Sequence, residues 1–282
     1  MKRMVLLICV LFACMMFSGL ARAALTGKEA HEKYLYPVVR VSTEVGTGSG
    51  TIVYSGRSEK ETYSTYVLTN HHVINDGIKI EEEWDSNLKK SVKTERRSIV
   101  YVEIFKYRNI ATSVGTMKIE ADIVAYTKSE DMALLKLRYD DPVQFVSKMG
   151  LGDYKTFDET VAVGCSLAFP PLPTIGEISR LGIQIDSLQY DMSSAQIIYG
   201  NSGGAMFLAA TGELIGIPSM VAVAGWFTPI PHMGVFIPIT RVKKWLESER
   251  YDFVFNPNKT EKECLKLREE EIASKQKNSD VK

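Results

Sequence analysis

An all-β fold closed by helix at its C-terminal end is what this sequence predicts. Short apolar segments rich in Val, Ile, Tyr and Phe recur from Pro37 to about residue 238. Clusters of Gly, Asn, Asp and Pro punctuate them, as turns do between strands. Apolar spacing of the helical kind comes only after Thr240. Many short strands with turn signals between them fit a sandwich or a pair of barrels. Periodicity alone does not choose between the two.

The first 23 residues read as an export signal rather than as fold. Lys2 and Arg3 form a basic start, residues 4–20 are almost wholly apolar, and Ala21-Arg22-Ala23 gives the small-x-small pattern of a cleavage site. Cleavage is expected after Ala23. A retained membrane anchor competes, because the apolar run approaches the roughly 20 residues that span a bilayer. A lipoprotein reading of Leu11-Phe12-Ala13-Cys14 is opposed by the bulk of Phe12 and by the apolar run continuing past Cys14.

Residues 24–35 form a polar lead-in. Val38-Val39-Arg40-Val41 is the first strand, followed by a turn rich in glycine at 46, 48 and 50. That turn lacks the Lys-Ser/Thr that would complete a phosphate loop, so it reads as a place where two strands pass closely. Strands follow at 51–54 and 64–69. Residues 83–97 are charged and aperiodic, and are expected to be a solvated insertion loop. Residues 98–107 alternate well enough for a long half-buried strand, and further strands fall near 116–126 and 132–138. Asp140-Asp141-Pro142 breaks the pattern, placing a join between two halves at about 140–148. The second half has expected strands at 160–164, 175–188, 195–198, 205–208, 213–221 and 234–238. Thr240 is the expected cap of a helix with Val242, Trp245 and Leu246 on one face. Thr260-Glu261-Lys262-Glu263 is a capping-box pattern opening a charged helix to about Ser274. No further domain is expected in what remains.

Charge excludes little but is informative. The 34 Lys and Arg balance the 34 Asp and Glu, so no overall field draws the chain to nucleic acid or anionic membrane. Cys9 and Cys14 lie in the signal, leaving Cys165 and Cys264. An exported protein has the redox environment to pair them, but Cys165 sits in an apolar strand-like segment and Cys264 in a charged helix. Two free thiols are the favoured reading. The cysteines are too sparse and the histidines too scattered for a metal site, so neither metal nor cofactor is expected.

The chemistry centres on Tyr-Gly-Asn-Ser-Gly-Gly-Ala-Met, residues 199–206. A serine hydroxyl is a poor nucleophile without a base beside it and amide donors around it. Flanking glycines let the backbone turn tightly and converge its N–H groups on one point. Taken alone, the segment is equally a β-turn. Upstream, residues 65–73 form an alternating strand ending in His71 and His72, and residues 129–137 place Asp131 just before an apolar strand. The order His, Asp, Ser is one of the known solutions to the catalytic-triad geometry.

At this point the chain resembles a trypsin-like serine peptidase, and most closely an HtrA-type bacterial peptidase. The segments that carry the resemblance are Gly-Thr-Gly-Ser-Gly-Thr-Ile-Val (46–53), Leu-Thr-Asn-His-His-Val (68–73), Ser-Glu-Asp-Met-Ala-Leu-Leu-Lys (129–136) and Gly-Asn-Ser-Gly-Gly-Ala (200–205). Gly-Glu-Leu-Ile-Gly-Ile (212–217) and Gly-Val-Phe-Ile-Pro-Ile (234–239) complete the set, in the family's order. The resemblance implies two six-stranded antiparallel β-barrels of the chymotrypsin type with a C-terminal helix. Residues 24–144 would form the N-terminal barrel carrying His72 and Asp131. Residues 145–256 would form the C-terminal barrel plus helix carrying Ser202, with 257–282 a charged helical tail. It departs from the HtrA pattern in having no recognisable PDZ domain after the protease.

The resemblance also assigns roles. The second histidine of the pair, His72, is the expected base, Asp131 its orienting carboxylate and Ser202 the nucleophile. Asp122 is the rival carboxylate, with Asp76 and Asp85 behind it; His31 and His232 lie outside any motif. The N–H groups of Gly200 and Ser202 are the expected oxyanion hole. Ser219, Met220 and Val221 match the strand that pairs with substrate backbone. Residues 193–198 would line the primary pocket, which contains no acid, although Asp191 is close; Gly234 would leave that pocket open. The implied activity is hydrolysis of peptide bonds in protein or peptide substrates by an exported, periplasmic or extracellular serine endopeptidase. The alternative is a catalytically silent domain of the same kind that binds polypeptide at the cell envelope.

Overall fold

The computed structural model of the chain describes residues 25–58, 61–86, 89–225 and 228–280. The expected signal and its cleavage site lie outside these residues. Among the described residues a short helical lead-in, α1 (Gly27–Ala30) running on to Leu35, is followed by fourteen strands.

Six strands close the first barrel in the order β1 (Val38–Ser42), β2 (Thr47–Arg57), β3 (Tyr63–Thr69), β8 (Met132–Leu137), β7 (Thr112–Thr127), β6 (Val100–Arg108). Six more close the second: β10 (Leu172–Ile185), β11 (Leu188–Ser193), β14 (Thr228–Pro238), β13 (Leu214–Ala224), β12 (Ala205–Leu208), β9 (Glu159–Gly164). All these pairings are antiparallel, and closure removes the exposed edges that an open sheet leaves.

The period of two in a strand explains where the cores lie. Val39, Val41, Ile52, Val67, Ala133 and Leu135 point into the first barrel. Their immediate neighbours Val38, Val53, Tyr66, Leu68 and Leu134 point outward, yet they are buried too. They meet Val161, Phe207, Leu214 and Ile237 of the second barrel. Strands β3 and β8 are therefore covered on both faces, which is why Leu-Leu at 134–135 and Val-Leu at 67–68 read as unbroken apolar runs. The second barrel encloses Ala162, Ile178, Met206, Ile215 and Phe236.

Residues 83–97, expected to be a solvated loop, instead belong to a two-stranded hairpin outside both barrels. It comprises β4 (Ile78–Asp85) and β5 (Lys90–Arg97). Its register sets Glu82 across from Lys93, and Arg96, standing opposite Lys79, reaches along the hairpin to Glu81 and Glu83. Charge pairing in place of apolar alternation is what hid these strands. The expected single strand at 175–188 is two, β10 and β11. Asp186 and Ser187 turn the chain at φ values of 49° and 66°, a two-residue hairpin with both positions left-handed. The expected strand at 195–198 is irregular backbone.

The first terminal helix, α3 (Ile239–Ser248), has Pro238 at its cap, so Thr240 lies inside its first turn rather than capping it. Val242, Trp245 and Leu246 are buried as expected. The second, α4 (Glu261–Asp280), opens on the expected capping box. Thr260 Oγ1 accepts from Glu263 N–H at 3.3 Å while the Glu263 carboxylate accepts from Thr260 N–H at 3.3 Å. Both thiols, Cys165 and Cys264, are free and buried.

Candidate active site

Three segments far apart in sequence meet where the barrels face each other. His71 and His72 open a single helical turn, α2 (His71–Ile74), directly after β3. They sit on a turn rather than at the strand's end, and they still diverge. The buried His71 ring packs on Tyr126 at 5.3 Å, and burial holds its pKa below the ordinary value. His72 faces the space between the barrels.

His72 is met by Asp131, which holds a left-handed φ of 57° in the turn before β8. The turn reading of Asp131 and the carboxylate reading thus coincide. His72 Nδ1 lies 3.0 Å and 2.9 Å from the two Asp131 carboxylate oxygens. The His72 main-chain N–H donates to the same carboxylate at 3.0 Å, and the Ser219 hydroxyl donates to it at 2.7 Å. Burial alone would raise the Asp131 pKa. The bonds from His72 and Ser219 outweigh it and hold the carboxyl below its usual value. Asn70 Nδ2 donates to the Asp131 carbonyl at 2.8 Å and fixes the turn itself.

Ser202 sits in the glycine-rich loop before β12. The first barrel clamps this loop. Ser49 N–H donates to the Ser202 carbonyl at 2.8 Å, and Ser49 Oγ donates to the Gly200 carbonyl at 2.6 Å while accepting from Cys165 N–H at 2.7 Å. Gly203 has a φ of +82°, and a Cβ there would stand 2.2 Å from Thr69 Oγ1 and 2.3 Å from the Ser49 carbonyl. The loop is pressed onto β2 and β3 with no room for a side chain. Asn201 is buried and accepts from the Ser166 hydroxyl at 2.6 Å. The Tyr199 carbonyl accepts from Leu167 N–H at 2.9 Å. In a trans peptide this turns the Gly200 N–H the opposite way. Among the described residues neither the Gly200 nor the Ser202 N–H meets an acceptor.

His72, Ser202 and Gly200 line one cleft of about 330 Å³, together with the turn at Gly46, Asn75 and Asp76. No hydrogen bond joins Ser202 Oγ to the His72 ring among the described residues.

The remaining candidates separate. Asp122 pairs with Arg138 at 2.8 Å on the outside of the first barrel. Asp85 ends β4, and Asp76 lines the cleft without touching His72. His31 is in the lead-in helix and His232 on β14. Asp191 is buried, accepting from Tyr154 Oη at 2.6 Å and from Gly182 N–H at 2.8 Å, so its charge is used inside the barrel. Ser219 lies at a bulge in β13, with Met220 and Val221 paired to Val235 and Gly234. Gly234 does not open a pocket. The Ile197 side chain fills that space, and a Cβ on Gly234 would stand 2.3 Å from Ile197 Cδ1. Ser49, Thr69, Asn70 and the Ser219 hydroxyl hold the site together, though their sequence motifs gave no sign of what their side chains would touch.

The family model described as a trypsin-like peptidase domain matches residues 48–217. Among curated proteins, the chain is 27% identical over 184 residues to the periplasmic pH-dependent serine endoprotease DegQ of Escherichia coli K12, covering 64% of this chain and 32% of that one. It is 33% identical over 129 residues to the mitochondrial serine protease HTRA2 of Drosophila virilis, covering 42% of this chain and 30% of the relative. The chain thus matches about a third of the length of these relatives. Among solved structures, the HtrA-type protease AlgW with a tripeptide superposes with a TM-score of 0.56 at 21% identity, over 80% of this chain and 64% of that one. That likeness is one of fold.

Proposed function

The chain belongs to the trypsin-like peptidase family, and on that premise we propose that it is an exported serine endopeptidase that cuts polypeptides through an acyl-enzyme on Ser202. The observation that carries this reading is the His72 imidazole held at 2.9 Å by the Asp131 carboxylate, in a cleft that Ser202 also lines. Asp131 fixes the tautomer with the Nδ1 proton inward, leaving Nε2 as the base. Ser202 Oγ adds to the scissile carbonyl as its proton passes to His72 Nε2. The oxygen anion that forms is met by the unengaged N–H groups of Gly200 and Ser202, each such donor being worth about 2.7–4 kcal/mol of transition-state stabilisation. The C–N bond then breaks as His72 returns the proton to the departing amine, and water repeats the sequence to release the acid.

The free backbone at the Ser219 bulge, with Met220 and Val221, would pair with the acyl half of the substrate. Ile197 packed on Gly234 narrows the expected primary pocket, so a small apolar side chain is the expected preference before the cleaved bond. A cleavage profile over a peptide library dominated by Arg or Lys contradicts that preference. Export rests on residues 1–23, and N-terminal sequencing of the secreted protein should begin at Ala24.

The expected result for Ser202→Ala is complete loss of hydrolysis with an unchanged melting temperature, and a fluorophosphonate should label Ser202 of the parent. A second reading, a domain that binds polypeptide without cutting it, draws on the missing Ser202–His72 bond and on Ile197. Labelling of Ser202 excludes it, whereas full activity in Ser202→Ala overturns the first.

A further inference from the structure

The hairpin β4–β5 stands outside both barrels and exposes what a folded protein ordinarily covers. Ile80 is 65% exposed and Trp84 66%. A two-stranded hairpin alone is marginal in water, and two large apolar side chains facing solvent add nothing to its stability. Alternation places Ile78, Ile80, Glu82 and Trp84 on one face, opposite Arg97, Glu95, Lys93 and Ser91. The charges on this face are engaged: Glu95 accepts from Arg97 and from Tyr126 Oη, and Glu82 lies 3.9 Å from Lys93. Of the apolar groups, Ile78 packs on the core of the first barrel, and Ile80 and Trp84 are left exposed.

This face runs down into a second cleft of about 340 Å³, lined by His71, Ile78, Ile80, Tyr126 and Lys128 and by Asn75 and Asp76. Asn75 and Asp76 also line the cleft that holds His72 and Ser202. The two clefts therefore adjoin at the Asn75–Asp76 turn that follows His72, with the candidate nucleophile on one side of that turn and the hairpin on the other.

Chemistry decides which half of a substrate enters it. The imidazole that deprotonates Ser202 later protonates the departing amine, so the leaving half of the polypeptide must lie beside the imidazole. The chain following His72 forms the wall there. We propose that the β4–β5 hairpin is a binding site for the leaving-group side of a polypeptide substrate, taking apolar side chains against Ile80 and Tyr126 at its base and against Trp84 further along the same face. Lys128 and Asp76, of opposite sign and without ion-pair partners among the described residues, offer no net charge preference, so the site selects for apolar bulk.

The inference rests on the proteolytic reading, and two assays keep their failures apart. The first compares a peptide anilide that has no residue beyond the cleaved bond with an internally quenched peptide that continues for several apolar-rich residues. The double variant Ile80→Ser/Trp84→Ser should lower the ratio of kcat/KM on the long to that on the short substrate tenfold or more, and Trp84→Phe should recover most of it. An unchanged ratio overturns the proposal. The second assay is independent of catalysis. It measures binding of fluorescein-labelled, carboxymethylated β-casein to Ser202→Ala, with and without the hairpin substitutions. At least a tenfold weaker affinity with the hairpin substituted supports the site even if fluorophosphonate fails to label Ser202 and neither peptide is cut. Equal affinity overturns it.

Discussion

Asp131 concentrates the residue-scale consequences of this arrangement. Its carboxylate accepts from the His72 ring, the His72 backbone and the Ser219 hydroxyl, and these hold its pKa below the ordinary 3.8. A carboxyl depressed by folding stabilises the folded state above its unfolded value, and that contribution is lost as pH falls through the folded one. The parent should therefore be more stable than Asp131→Asn at neutral pH, the gap closing below the ordinary value; urea melts across pH measure it. Ser219→Ala removes one donor to the Asp131 carboxylate while leaving the backbone bulge. The loss of about 1 kcal/mol predicts roughly a fivefold fall in kcat/KM with little change in melting temperature. Gly203→Ala, by contrast, forces a Cβ into Thr69 and Ser49 at left-handed φ. A loss of more than about 2 kcal/mol in a chemical melt is expected. The meeting of His72 with Asp131, in a cleft that Ser202 lines, was foreshadowed by motifs dense with unusual neighbours. Ser49 and the Ser219 hydroxyl were not, since a serine's partner depends on which strand the fold lays beside it.

At the scale of elements, strands with apolar alternation were readable and those without it were not. The 205–208 strand appeared in the sequence as it stands in the fold, whereas β4 and β5 were masked by charges that make sense only once paired. The β10–β11 turn uses Asp-Ser, a weaker hairpin signal than Asn-Gly or Asp-Gly. Helix α4 shows the opposite case. Its capping box was plain in the sequence, but not what its first residue touches. Glu261 accepts from Tyr66 Oη at 2.6 Å and from Lys136 Nζ at 2.8 Å, both on the first barrel. Tyr66 is buried, so Glu261→Ala strands its hydroxyl without a partner at a cost of about 1–3 kcal/mol. Adding Tyr66→Phe to that variant should restore part of the loss in a thermal melt.

For the whole molecule, the largest apolar layer lies between the barrels rather than inside either one. Heating should therefore give one cooperative transition, with far-ultraviolet dichroism and tryptophan fluorescence coinciding; two separated transitions would show that the barrels melt apart. The many short strands and their turns gave the class from the sequence. Choosing barrels over a sandwich needed the family's motifs, because both architectures bury alternate residues of short antiparallel strands.

The helix that begins at Glu261 bears on how the polypeptide tolerates being cut. The last strand of the first barrel ends at Leu137 and the first of the second begins at Glu159, so a single backbone crossing joins them in chain order. Tyr251, Phe253 and Glu261 nonetheless return to Tyr54, Tyr66 and Lys136. A gene divided near codon 141 should thus yield two fragments that find each other and co-purify, the second half carrying its own handle for the first.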